Sequence, residues 1–209
     1  MSIHDFFVAD TRKRVSAAIA AIEEHTAAEV VVTVRRRSGH YRQADLHAGI
    51  ACAFLALLVL LFAESEFETA WMPAEVVGAF VFGVFVASGI PSIRRRLTSR
   101  RWMRENARTA ARAAFYDLGV ARTRGRTGLL VYVSMFERRV EVVPDIGVKP
   151  AELGTEWAAA LERMEQAVRG RPDVDRFLAA LGALAAPLAR ALPAQPDDLD
   201  ELPNEPVVA

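Results

Sequence analysis

The stretch whose reading decides the fold is TGLLVYVSMFERRVEVVPDIGV, residues 127–148. Residues 127–134 form an apolar run of strand length, and residues 137–144 alternate polar with apolar side chains. Together they predict a β-hairpin joined through Met135 and Phe136. The second strand runs into a Pro–Asp–Ile–Gly corner, so Asp145 needs a reason to be there. It could be a metal ligand, a catalytic carboxylate, or a turn residue that bonds its own backbone.

Working outward, AEVVVTV (28–34) is a third strand, β-branched and nearly all apolar, as expected of a strand covered on both faces. A helical stripe precedes it, with Val8, Val15, Ala18, Ile19 and Ile22 on one face. In residues 101–120, Met103, Ala107, Ala111, Ala114 and Leu118 share a helical face, and Gly119 is the expected stop. Two more helices are expected over 150–170 and 173–192. Short apolar strands among striped helices predict an α/β fold, a small sandwich with a central short-stranded sheet and flanking helices.

The first strand and the middle helix are separated by two hydrophobic runs. LHAGIACAFLALLVLLFA (46–63) has only His47 as a polar side chain near its start, and AEVVGAFVFGVFVASGIPSI (74–93) has Glu75. About 20 apolar residues cross the hydrocarbon core of a bilayer, so both are expected to span a membrane. The alternative is a pair of core helices, for which so short a chain has little room. Small residues recur every fourth position, at Ala48, Cys52 and Ala56 and again at Ala79, Gly83 and Ala87. That spacing predicts close helix packing, within one hairpin or between copies. The expected organisation is residues 1–45 as the first part of the domain, 46–93 as a transmembrane hairpin, 94–192 as the second part, and 193–209 as an acidic, Pro-rich tail, extended and solvated.

Charge distribution orients the hairpin. Arg35, Arg36, Arg37 and Arg42 precede it, and Arg94, Arg95, Arg96, Arg100 and Arg101 follow it, whereas the connector carries Glu64, Glu66 and Glu68 and no base. The excess of arginine predicts both termini on the cytoplasmic side of a bacterial inner membrane. Trp71 suits the outer interface and Pro73 the first turn of the second span. Formal charge is +0 over 209 residues but unevenly spread, with arginines crowding Arg94 to Arg112 and Asp197, Asp198, Asp200, Glu201 and Glu205 making the tail acidic. The single Cys52 excludes an internal disulfide and a cysteine-based zinc cluster. The opening residues lack the apolar core of a signal peptide.

With these elements in order, AIAAIEEHTAAEVVVTV and AFYDLGVARTRGRTGLLVYVSMFERRVEVVPDIGV resemble the opening and the centre of TPM-domain proteins. The likeness covers most of 10–34 and 107–170, about half the chain. It implies a compact α/β fold with helices on both faces of a central sheet. Members have been connected with photosystem repair in plants, receptor accessory roles in animals and envelope proteins in bacteria, and acid phosphatase activity and calcium binding are attributed to some. The positions that match the shared pattern are Glu29, Thr123, Gly128, Arg138, Asp145 and Gly147.

No Walker loop ends in Gly–Lys–Ser/Thr, and His4, His25, His40 and His47 have no ligand spacing. A Ser–His–Asp set of Ser134, His25 and Asp145 is supported by composition alone. A calcium or magnesium ion would need several converging oxygens, for which Asp145 and Glu29, with Glu137 or Glu141, are the candidates. The simpler expectation is that Asp145 shapes its turn and no cofactor is bound. Arg104, Arg108 and Arg112 recur every fourth residue and extend the basic cluster that starts at Arg94. Without aromatic interleaving this does not suggest nucleic acid. It suggests anionic lipid headgroups, worth about 1 kcal/mol per basic residue near the surface, or simply orientation, with the arginines paired to Glu105 and the tail. The expected function is a membrane-anchored binding or accessory module with a membrane or cytoplasmic protein partner. The alternative is a membrane-tethered, cation-dependent phosphatase.

Overall fold

The computed structural model describes residues 6, 8–63, 68–194 and 201–208. It divides into two compact units, one of Met1–Ser38 with Arg104–Ala209 and the other of Gly39–Met103.

The first unit is built on a four-stranded mixed sheet in the order β3-β2-β1-β4. Strand β1 (Glu29–Arg35) lies parallel to β2 (Gly128–Ser134), β2 is antiparallel to β3 (Arg139–Pro144), and β4 (Val207–Val208) pairs parallel with β1. Alternation along the two central strands gives each face its own core. Val30, Val32, Val34, Leu129, Val131 and Val133 meet Ile19 and Ile22 of α1 (Ala9–Glu23), Trp157 and Met164 of α6 (Gly154–Arg169), Phe177 and Leu181 of α7 (Val174–Gly182), and Leu188 of α8 (Ala185–Ala191). Val31, Leu130 and Tyr132 meet Ala111, Ala114 and Phe115 of α5 (Arg100–Asp117) on the opposite face. The apolar character of β1 therefore follows from burial on both sides.

Helix ends follow local chemistry. Helix α5 stops before Gly119, whose φ of 71° is a left-handed conformation that costs glycine little. The single helix expected over 173–192 is two, broken at Ala183 and Leu184. Pro187 lacks the N–H that would bond the Ala183 carbonyl, and its ring clashes with that carbonyl. The hairpin connection is also longer than the two residues expected, because β2 ends at Ser134 and β3 begins at Arg139. Arg138 takes φ 53° there, while Met135 and Phe136 N–H donate to the Arg35 and Arg36 carbonyls. The tail differs most. Asp197, Asp198 and Asp200 fall outside the described residues, and Glu201, Pro203 and Glu205 are exposed, but Pro206 is buried and Val207–Val208 add a strand to the sheet.

In the second unit, α2 (Arg42–Phe62) and α3 (Met72–Gly89) are each long and apolar enough to cross a membrane. The second apolar helix ends at Gly89, short of the expected Ile93, because Ile90 before Pro91 is held extended at φ −114°, ψ 99°. Pro91 then opens α4 (Pro91–Leu97). Both rows of small residues face inward. A Cβ on Gly83 would lie 2.6 Å from the Ala48 carbonyl oxygen and 2.8 Å from Cys52 Sγ. The spacing is used within the hairpin.

Candidate functional site

Five of the six positions singled out by the shared pattern converge on one corner of the sheet, where β1 and β2 begin and β3 ends. Glu29 and Gly128 are register partners, and the Asp145 N–H donates to the Gly128 carbonyl at 2.8 Å. Thr123 Oγ1 accepts the Thr127 N–H at 3.1 Å, fixing the segment that enters β2. Arg138 is elsewhere, at the β2–β3 turn, donating to the Arg169 carbonyl at 3.3 Å.

Asp145 is a turn residue with an ionic partner. Its side chain is 2% exposed, and Oδ1 accepts both the Ile146 N–H at 2.8 Å and Arg126 Nη2 at 2.9 Å. The Val148 N–H returns to the Asp145 carbonyl at 3.0 Å, closing the corner. Gly147 is required by proximity, since a Cβ would lie 2.6 Å from the carbonyl oxygens of both Gly125 and Arg126. Its N–H bonds the Arg126 carbonyl at 2.8 Å, and it is not among the glycines with positive φ.

As a cation site the corner is poor. Asp145 Oδ2 is buried without a hydrogen-bond partner among the described residues, which leaves one free oxygen. A guanidinium already occupies the other side of that carboxylate, and Glu29 Oε2 accepts the Leu202 N–H at 3.2 Å. Glu141 stands mid-strand opposite Tyr132, and Glu137 lies at the far end of the sheet. Among the described residues no three His, Cys, Asp or Glu side chains gather around one point. Hard cations take six to eight oxygens, and the residues present do not make that set.

The far end of β2 holds a buried hydroxyl network. Ser134 Oγ donates to Glu137 Oε2 and lies 2.6 Å from Ser38 Oγ, which is 3.0 Å from the Tyr132 hydroxyl. The Ser38 N–H donates to Glu137 Oε1 at 2.8 Å. Burial raises the Tyr132 pKa, with the Ser38 bond pulling it partly back. Ser134 and Asp145 thus sit at opposite ends of a seven-residue strand, about 20 Å apart at strand rise, so the Ser134, His25 and Asp145 set is not assembled.

In the second unit, Arg94 donates from Nε and Nη2 to the two oxygens of Asp45, both at 2.8 Å. This bidentate pair joins the start of α2 to α4, beside an edge-on contact of Tyr41 with Trp102 at 5.5 Å. Arg94 is therefore spent on Asp45, and Arg95 is half-buried. Arg96, Arg100, Arg101, Arg104, Arg108 and Arg112 are exposed. Of the two described tail acids, Glu201 and Glu205, Glu201 pairs with Arg124, outside that stripe. Burial raises the Glu141 pKa, opposed by Arg139, Arg108 and Arg104, so part of the stripe faces a carboxylate on β3. Arg126, Asp45 and Ser38 were missed in the sequence. Asp45 alone had a signal: an acid just before one apolar run and a base just after the next.

Fold and corner together define a class: a helix-covered, four-stranded mixed α/β sheet, in a chain that also carries an apolar helix pair. In that fold the chain is similar to the NMR structure of the BA42 protein from the psychrophilic bacterium Bizionia argentinensis, with a TM-score of 0.59 at 16% identity, covering 100% of this chain and 99% of that one. At that identity the likeness concerns the fold alone. No family model matches the chain, and no curated protein matches it.

Proposed function

We propose that α2 and α3 anchor this chain in a bacterial inner membrane, with both termini cytoplasmic, and that the α/β unit is a TPM-like binding or accessory module at that face. The observation that carries the reading is exposure. Only 17% of the apolar window of α2 and 11% of that of α3 is buried, and Phe54, Leu55, Leu61, Phe62, Phe82 and Phe85 are each at least 60% exposed. Each such side chain gains roughly 1 kcal/mol or more on leaving water, so the pair favours hydrocarbon by an amount comparable with the whole stability of a domain, about 5–15 kcal/mol. A 21-residue and an 18-residue helix run about 31 and 27 Å at 1.5 Å per residue, against a core of about 30 Å.

Orientation rests on the arginines that flank the pair and the acids between, and the exposed arginines of α5 suit anionic headgroups. The test is extraction at alkaline pH followed by flotation with vesicles. The chain should stay with the bilayer, and release as a soluble protein would overturn the proposal. A phosphate ester assay with added magnesium or calcium should give no turnover above background. Turnover that Asp145→Asn abolishes would favour a tethered phosphatase.

A further inference from the structure

The outer edge of β1 is covered by residues 201–208 through contacts that read mostly backbone. The Arg124 N–H donates to Glu201 Oε2 at 3.0 Å, with Arg124 Nε 3.9 Å from Oε1. The Leu202 N–H donates to Glu29 Oε2 at 3.2 Å, Ser16 Oγ to the Asn204 carbonyl at 3.0 Å, and Thr33 Oγ1 to the Val207 carbonyl at 2.9 Å. Val207 and Val208 then pair with Thr33 and Val34. Side-chain identity enters at the carboxylate beside Arg124, at Leu202 against the α5-side core and Val208 against the other core, and at the buried Pro206 and the half-buried Asn204 between them.

From this we propose that the β1 edge is a strand-addition site for an extended acidic–apolar segment of a partner protein, closed in cis by residues 201–208. The inference deepens the reading of the domain as a binding module and rests on it. The cis strand covers two residues of a seven-residue edge, and the arginine that holds its acid is 81% exposed, so the seal is built to exchange. Upstream the edge is closed differently, since the Val30 N–H donates to Glu23 Oε1 at 2.8 Å. An added strand is thereby confined to the end that the tail now uses. Uncovered, this β-branched edge would invite indiscriminate pairing. A partner strand replacing the tail would leave no edge open, which is the logic of β-augmentation.

The test uses the full chain in lipid nanodiscs with a protease site placed within residues 195–200, and peptides as probes. After cleavage and removal of the released tail, a peptide of sequence ELPNEPVV should bind. A second peptide that keeps only the acid, the following leucine and the two valines should bind too, and a scrambled peptide should not. The uncut chain should bind at least about tenfold more weakly, because a tethered tail competes at an effective concentration near millimolar. Arg124→Glu in the cut chain should weaken binding several-fold. Failure of either patterned peptide to bind the cut, still-folded chain overturns the proposal, as does equal binding to cut and uncut chains. If cleavage unfolds the domain, the uncut chain carrying Val207→Asp and Val208→Asp decides: tighter peptide binding than wild type supports the site, and unchanged binding overturns it. A chain that purifies without lipid or detergent sinks the anchoring proposal instead, and the titration is then run on the soluble protein.

Discussion

Replacing Asp145 separates a turn residue from a cation ligand. Asp145→Asn keeps an Oδ1 for the Ile146 N–H, and the amide nitrogen takes the place of the unpartnered Oδ2. What is lost is the charge facing Arg126, which is 46% exposed; such solvent-screened pairs contribute about 0–1 kcal/mol. Asp145→Ala also strands the Ile146 N–H in a corner where the aspartate is 2% exposed, and an unmade buried bond costs about 1–3 kcal/mol. Asn should therefore cost up to about 1 kcal/mol and Ala about 2 kcal/mol. In a chain of this length each kcal/mol moves the midpoint by about 2–4 °C. Thermal unfolding of the detergent-solubilised chain, followed by circular dichroism with and without calcium, reads both. The reasoning is refuted if Asn harms as much as Ala and calcium raises the wild-type midpoint but not that of the Asn variant. The charge itself would then be the functional group.

Three further outcomes follow from other sites. Gly83→Leu should separate α2 from α3, because even its Cβ would sit 2.6 Å from the Ala48 carbonyl oxygen; in a chain given a second cysteine by Ala79→Cys, a cross-link to Cys52 should form while Gly83 is kept and fail once Gly83→Leu is added. Asp45→Ala leaves Arg94 half-buried without its partner and should cost about 3 kcal/mol, with Arg94→Leu added in the same chain recovering most of it; an additive double variant would contradict the pair's role. Burial holds the Glu141 carboxyl above the usual range, with Arg139 and Arg108 pulling it down and Glu165 adding to the rise. The folded state thus keeps that proton longer than the unfolded one, and its contribution to stability is present below the ordinary carboxylate pKa and lost as pH rises through the raised value. Glu141→Gln should then melt higher than wild type at neutral pH and equally at pH about 4; a lower midpoint at neutral pH would count against this.

What was legible in the sequence was periodicity. The uninterrupted apolar run of β1 and the four-residue stripe of α5 follow from burial against neighbours on known faces, so pattern and structure coincide there. The breaks were legible in principle, since Pro91 and Pro187 each end a helix just upstream, but apolar content masked them. The docking of residues 206–208 was not legible because composition reports average solvation, whereas Leu202, Pro206 and two valines seat a short strand. At the corner, Asp145 and Gly147 could be read as a turn. Arg126 could not be tied to Asp145, because their pairing depends on the register of β2 against β3. Glu137 and Ser38 are likewise joined only through the end of the sheet.

The central claim is that α2 and α3 cross a membrane with the α/β unit on the cytoplasmic side. Paired reporter fusions test it most directly, one reporter active only outside the inner membrane and the other only inside, each placed after Ser65 in the connector and after Ala209. The account predicts outside activity at Ser65 and inside activity at Ala209. Inside activity at both positions would contradict membrane crossing, and outside activity at Ala209 would contradict the orientation drawn from the arginines.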